Sequence, residues 1–147
     1  MQIRTAIPAD IPTLCQLLDQ LFAQEAEFTP DRAAQQRGLA AIIDNPALGE
    51  ILVAVEDARI VAMVNLLYTV STALGARVAL LEDMVVDAGA RGAGVGSALL
   101  EQAIAHAREI GCRRITLLTD GDNAAAQRFY GRHGFTHSAM RPLRRVL

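Results

Sequence analysis

R91-G-A-G-V-G-S97, followed at once by A98-L-L-E-Q-A-I-A-H-A107, places three glycines within five positions at the mouth of an alanine-rich apolar run. Val95, Leu99, Ala103, Ala107 and Ile110 recur at helical spacing and Gly111 stops the pattern, so residues 95–110 are predicted to be a helix. Before the loop, R77-V-A-L-L-E-D-M-V-V-D87 reads as a long apolar strand. Strand, short polar turn, glycine loop and helix make a site for an anion. The unpaired N–H groups of the first helical turn converge there, and the helix dipole adds positive potential. Glycines let the anion reach the backbone without a Cβ in the way. A nucleoside-triphosphate loop requires G-x-x-x-x-G-K-[ST], and this stretch has no lysine. The dinucleotide fingerprint would put Ser97 where the third glycine belongs, and Asp120 comes too late for its acidic partner. A turn built only for close helix–strand packing is the remaining explanation that involves no ligand.

The rest of the chain alternates elements around this unit. Residues 2–7 are predicted to form a short strand ended by Pro8, and Asp10 to cap a helix through Leu14, Leu17, Leu18, Leu21 and Phe22. A second helix is expected from Pro30-Asp31 to Asn45-Pro46. I51-L-V-A-V55 and I60-V-A-M-V-N-L-L-Y-T-V70 read as strands joined by a polar hairpin at Glu56–Arg59. After the 95–110 helix come a buried strand at Arg114–Thr119 and a helix at Asn123–His133 closed by Gly134. A short strand pair is expected at Phe135–Ser138 and Met140–Val146. The expectation is one mixed α/β domain over residues 1–147.

Composition narrows the function. The 147 residues are 52% hydrophobic and 20% charged, as in an ordinary globular domain. A formal net charge of −2 argues against a general nucleic-acid binder. Cys15 and Cys112 lie far apart without metal-ligand spacing and read as buried free thiols. The stretch M1-Q-I-R-T-A-I-P8 has no apolar core of signal-peptide length, and no run approaches a membrane span. The expectation is a cytoplasmic protein with no membrane partner.

The spacing Arg91-x-x-Gly94-x-Gly96 after Val85-Val86-Asp87 resembles motif A of the GCN5-related N-acetyltransferase (GNAT) superfamily. N123-A-A-A-Q-R-F129-Y130-G-R-H-G134-F135 resembles its motif B, and I3-R-T-A-I-P-A-D-I-P-T-L14 looks like its N-terminal unit, so the resemblance covers nearly the whole chain. It implies the family's fold, a mixed and mostly antiparallel sheet flanked by helices with a splay between the fourth and fifth strands. It also implies acetyl-coenzyme A as co-substrate, with Arg91, Gly92, Ala93, Gly94, Val95, Gly96 and Ser97 holding the pyrophosphate. The backbone of Met84, Val85 and Val86 would pair with the pantetheine arm, as in strand addition. Asn123 and Ala126 would lie beside that arm, and Tyr130, two helical turns after Asn123, would point at the thioester sulfur. Family members are often homodimers, which makes a homodimer an expectation here.

Acetyl transfer to an amine requires a neutral nitrogen, and an amine of pKa about 10.4 is neutral only about once in a few thousand molecules at pH 7. A base is therefore useful, and so is an acid for the departing thiolate. Tyr130 is the candidate acid and Glu82 the candidate base. Glu82 and Asp83 sit side by side in an apolar strand, where an unpartnered carboxylate costs several kcal/mol. A similar pair occurs in polyamine and glucosamine-phosphate acetyltransferases of the superfamily, with the glutamate in the acceptor cleft. Alternation groups Glu82 with Leu80, Met84 and Val86, and Asp83 with Leu81 and Val85, and leaves open which set faces the cleft. An ion pair of Glu82 with Arg77, or binding of the acceptor's cation without proton transfer, is the alternative. Tyr68 is a further candidate for the acceptor site.

His106 is expected on a solvated helix face and His133 at a helix C-terminus, and the three histidines show no metal spacing, so no metal is expected. Arg128 and Arg132, one turn apart, are either a solvated face or contacts to a coenzyme phosphate. The resulting expectation is transfer of acetyl from acetyl-coenzyme A to the primary amine of a cationic small molecule. A non-catalytic acyl-coenzyme A sensor and a protein N-acetyltransferase are the alternatives.

Overall fold

A computed structural model describes residues 1–25 and 29–147. Its centre is the apolar run of residues 59–71. Val61 to Leu66 are all buried because both faces of this strand are covered, so strict alternation is not required of them. Five strands, β1 (Gln2–Thr5), β2 (Gly49–Glu56), β3 (Arg59–Ser71), β4 (Ala76–Val86) and β5 (Ile115–Leu117), lie side by side in chain order. The first four are antiparallel and β4–β5 is parallel.

Helices α1 (Ile11–Gln24) and α2 (Arg32–Ile43) cover one face, where Leu14, Leu17, Leu18 and Leu39 pack on Ile51, Val53, Met63 and Val85. Helix α3 (Val95–Glu109) covers the other, with Val95, Leu99, Leu100 and Ala103 against Leu52, Ala62, Val64 and Leu66. Helix α4 (Ala124–Arg132) adds Phe129 and Tyr130 to the rim of that second core. The crossover through α3 is what a parallel β4–β5 pair demands.

Caps differ in detail from the sequence reading. Asp31 caps α2 by accepting from Ala34 N–H at 3.2 Å. Asp10 holds the cap position of α1, but its carboxylate turns back to accept from Ile7 N–H (2.8 Å) and from Arg4 (2.8 and 3.1 Å). This bond to Arg4, more than any other cause, holds the Asp10 carboxyl below its ordinary range. Cys15 is buried and Cys112 half-buried, both as free thiols.

Two expectations are corrected at the C-terminal side. The strand pair at Phe135–Ser138 and Met140–Val146 does not form: no residue from 133 to 147 is in a strand. Pro142 cannot donate to a ladder, and the three-residue β5 presents little edge to pair with. Met140 and Leu143 are instead exposed, while Phe135 folds back onto Tyr130. The strand expected at Arg114–Thr119 is shortened to Ile115–Leu117 and only half-buried. Its pairing with β4 covers Ala79 to Leu81 and then stops.

Candidate active site

The reason for that stop is a β-bulge. Asp83 lies opposite Asn65 and Leu81 opposite Leu66, so Glu82 is an extra residue with no partner on β3. A bulge bends its strand and sharpens the local twist, which turns β4 away from β5. Beyond Leu81 the outer edge of β4 pairs with no strand among the described residues. Arg91 Nε closes its far end by donating to the Val86 carbonyl at 3.2 Å. Met84, Val85 and Val86 therefore lie on a splayed strand, as expected.

The bulge also breaks the expected alternation. Leu81 packs in the α3-side core whereas Val85 packs in the α1–α2-side core, so they do not share a face. Met84 and Val86 line the α3 side. Glu82 is exposed at the bulge. Asp83 is half-buried and accepts a hydrogen bond from Asn65 Nδ2 at 3.1 Å. Burial raises the Asp83 carboxyl above its ordinary range and the Glu82 charge adds to this, while the Asn65 bond opposes it. Asn65 is only 3% exposed, and its Oδ1 has no hydrogen-bond partner among the described residues. This residue was missed in the sequence reading. Its signal was a single amide inside the apolar run V61-A-M-V-N-L-L67.

The glycine loop divides its labour. Asp87 accepts from Gly89 N–H (3.2 Å) and from Gln20 (2.9 Å), setting the short 3-10 turn Ala88–Ala90. Gly92 (φ 86°) and Gly94 (φ 81°) adopt left-handed backbone, and a Cβ on either would meet nothing within 4 Å. They are there for conformation, and the space above them is open. Gly96 serves packing: a Cβ there would come within 3.3 Å of Val86 Cγ2, 3.7 Å of Phe129 and 3.8 Å of Met84. Gly94 is the N-cap of α3 and no side chain caps that helix, so the amides of Val95, Gly96 and Ser97 keep their unpaired donors. Arg91, Gly92 and Ala93 are exposed and Val95 is buried.

Asn123 caps α4 by accepting from Ala126 N–H at 3.1 Å, which leaves its side-chain N–H groups for another partner. Tyr130 stands edge-on to Phe129 (5.2 Å between centroids) and to Phe135 (5.6 Å). Burial pushes its hydroxyl up to about 12. Arg128 is exposed, and Arg132 lays its guanidinium over Phe129, 5.8 Å from the centroid. His133 ends α4 as expected, and in addition its imidazole reaches Glu101 Oε1 (2.5 Å) and Ser97 Oγ (3.1 Å) on α3.

Tyr68 is placed apart from the bulge, opposite Ala79 in the closed part of the sheet. Arg77 covers its ring at 5.3 Å, and burial, then Glu50, raise its hydroxyl pKa. His106 is corrected: it is half-buried and paired with Glu50, because α3 lays this turn over the start of β2. A pocket of about 200 Å³ beside the pair is walled by Ala6, Ile42, Ile43 and Pro46. Among the described residues no group of histidine, cysteine or carboxylate side chains is arranged to hold a metal ion, and no helix is long and apolar enough to cross a membrane.

Comparison with known proteins fits this geometry. Mycothiol acetyltransferase of Geodermatophilus obscurus is 42% identical over 55 residues, which is 37% of this chain and 18% of that protein. The chain thus spans about a fifth of that relative's length. An uncharacterized N-acetyltransferase of Bacillus subtilis, YhfO, is 29% identical over 135 residues, covering 92% of this chain and 89% of its own. A putative acetyltransferase structure from Agrobacterium tumefaciens superposes with a TM-score of 0.84 at 29% identity, covering 99% of this chain and all of that one. The profile of the acetyltransferase (GNAT) family matches residues 12–135, and the chain belongs to that family of acetyl-transferring enzymes.

Proposed function

We propose that this chain transfers the acetyl group of acetyl-coenzyme A to the primary amine of a cationic small molecule by direct attack. The observation that carries the reading is a coincidence on one strand. Paired carboxylates sit at the bulge of β4, and the strand's free edge leads straight into an open glycine loop.

Arg91 to Ser97 would hold the diphosphate, and the backbone of Met84 to Val86 would pair with the pantetheine amides. Asn123 would donate to that arm from the side-chain amide its cap leaves over, with Ala126 beside it. The bound co-substrate supplies an activated acyl carbon and a thiolate leaving group. Glu82, exposed at the bulge, takes a proton from the substrate ammonium, directly or through water. The freed lone pair forms the N–C bond, the C–S bond breaks, Tyr130 donates its proton to the departing sulfur, and the nitrogen's second proton restores the tyrosine hydroxyl. Products are the amide, the free thiol and one proton released to solvent. Asp83 would contribute to the acceptor side, where carboxylates favour a polyamine, an amino sugar or an amino acid, whereas Tyr68 lies apart from it.

Free-thiol release on mixing the protein with acetyl-coenzyme A and an amine panel tests this. Turnover on cationic small molecules supports the proposal. Turnover confined to peptides makes the chain a protein N-acetyltransferase, and tight coenzyme binding with no turnover makes it a sensor.

A further inference from the structure

The reading that the glycine loop holds a coenzyme diphosphate leaves one constellation unused. Ser97, on the first turn of α3, and Glu101, one turn later, both meet the imidazole of His133 at the end of α4. The imidazole side chain is only 11% exposed, whereas Glu101 is 58% exposed, so solvent reaches the carboxylate but little of the ring.

Donor counting fixes what this arrangement can do. An ionised carboxylate only accepts, so the ring nitrogen facing Glu101 carries a proton. If the ring is neutral, the nitrogen facing Ser97 is an acceptor, and the serine hydroxyl must spend its only proton on it. If the ring is an imidazolium, that nitrogen donates to Ser97 Oγ, and the hydroxyl proton is free to point elsewhere. Ser97 lies in the turn whose unpaired backbone amides converge on the loop. An anion there is therefore offered one more donor only when His133 is protonated.

We propose that Glu101 and His133 form a proton-coupled relay that presents the Ser97 hydroxyl to the coenzyme diphosphate, so that binding the diphosphate takes up a proton at His133. The proposal rests on the acetyl-coenzyme A reading and makes His133 a positioning residue. The groups around the ring are few. Ser97 and Glu101 face it from α3, the Phe129 ring lies 5.1 Å away on α4, and the Arg132 guanidinium stacks on that same Phe129 ring. From β4, Met84 and Val86 approach Gly96, the residue before Ser97, and carry no charge. Linkage is reciprocal: if the diphosphate favours the imidazolium, raising the pH must weaken coenzyme binding.

Calorimetric titration of the wild-type protein with coenzyme A, between about pH 6 and 8 where histidine side chains change charge, tests the relay. Repeating it in buffers of different ionisation enthalpy counts protons directly. The expected result is net proton uptake and an affinity that falls severalfold as pH rises. Pantetheine, which lacks the diphosphate, is expected to show neither. Ser97→Ala is expected to abolish the uptake and to weaken binding about tenfold at the acid end, the weight of one hydrogen bond to a charged group. His133→Gln, which keeps a hydrogen-bonding side chain without titrating, is expected to flatten the pH dependence. Coenzyme binding without proton uptake, or uptake that survives Ser97→Ala, overturns the relay. Absence of coenzyme binding at any pH overturns the underlying reading instead. The wild-type and Ser97→Ala titrations decide the matter even if His133→Gln does not fold.

Discussion

Gly96 is the glycine of the loop whose role is spatial, and enlarging it in steps tests that assignment. A Cβ would stand 3.3 Å from Val86 Cγ2, with Phe129 and Met84 at 3.7 and 3.8 Å. Carbon atoms prefer about 3.5–4.0 Å, so Gly96→Ala asks for a shift of a few tenths of an ångström. Against that, alanine in place of a helical glycine gains up to about 1 kcal/mol. The two effects are of similar size, and Gly96→Ala is expected to stay within about 1 kcal/mol of wild type. Gly96→Val adds two further methyl groups where three neighbours already touch. Overpacking of this kind costs about 1–3 kcal/mol, or a fall of roughly 2–12 °C in Tm for a chain of this length. The first turn of α3 must then move off β4 and take its amides with it, so the stabilisation conferred by coenzyme A should shrink as well. Thermal unfolding with and without the coenzyme measures both effects. Gly94→Ala is the control, because its Cβ has room but its φ of 81° costs a non-glycine residue about 1–2 kcal/mol. If Gly96→Val keeps both its Tm and its coenzyme shift, the packing argument is wrong.

Tyr130→Phe is expected to lower kcat about a hundredfold with little change in coenzyme binding, the lower end of what a positioned acid contributes; unchanged turnover removes Tyr130 from that role. With its hydroxyl pushed up to about 12, Tyr130 stays protonated at neutral pH, so it should not produce the basic limb of a pH–rate profile. The raised Asp83 carboxyl means that the fold prefers its protonated form. That contribution is complete below the unfolded pKa and is lost as pH rises through the raised value. Asp83→Asn copies the protonated shape and can donate to the orphaned Asn65 Oδ1. It is expected to gain about 1 kcal/mol over wild type near pH 7, less in acid, while turnover falls; a loss of stability at neutral pH would contradict this. The β2–β3 turn places Asp57 (φ 48°) and Ala58 (φ 61°) in left-handed backbone. Ala58→Gly is expected to gain about 0.5–1 kcal/mol, the left-handed penalty less glycine's extra entropy, read as a Tm rise of a few degrees. No rise would mean that the turn relaxes around alanine.

Most of the architecture was written in local patterns. The apolar repeat of residues 95–107 and the helix starts near Asp31 and Asn123 fall where the sequence put them, as does the glycine loop. What misled was action at a distance. A bulge is a backbone event decided by pairing with β3, so alternation assigned Leu81 and Val85 to one face when they occupy two. The C-terminal segment was expected to add a strand pair, but a strand needs an edge to join. His106 looked solvated because its partner, Glu50, is distant in sequence, and the same separation hid the contacts of His133 with Ser97 and Glu101. The adjacent carboxylates of Glu82 and Asp83 did flag the bulge strand, since an apolar strand has little other use for them.

The short β4–β5 ladder bears on the order in which the molecule assembles. β2, β3 and β4 meet through hairpins, whereas β5 reaches β4 only after the whole of α3 has been threaded between them, and then through three residue pairs. Contacts that close long loops form late and give way early. Amide hydrogen exchange is expected to find the greatest protection in β3 and the least, among the strands, in Ile115–Leu117. A coenzyme lying along the open edge of β4 would brace this last-docked corner, so the donor substrate would complete the protein's folding as well as feed its chemistry.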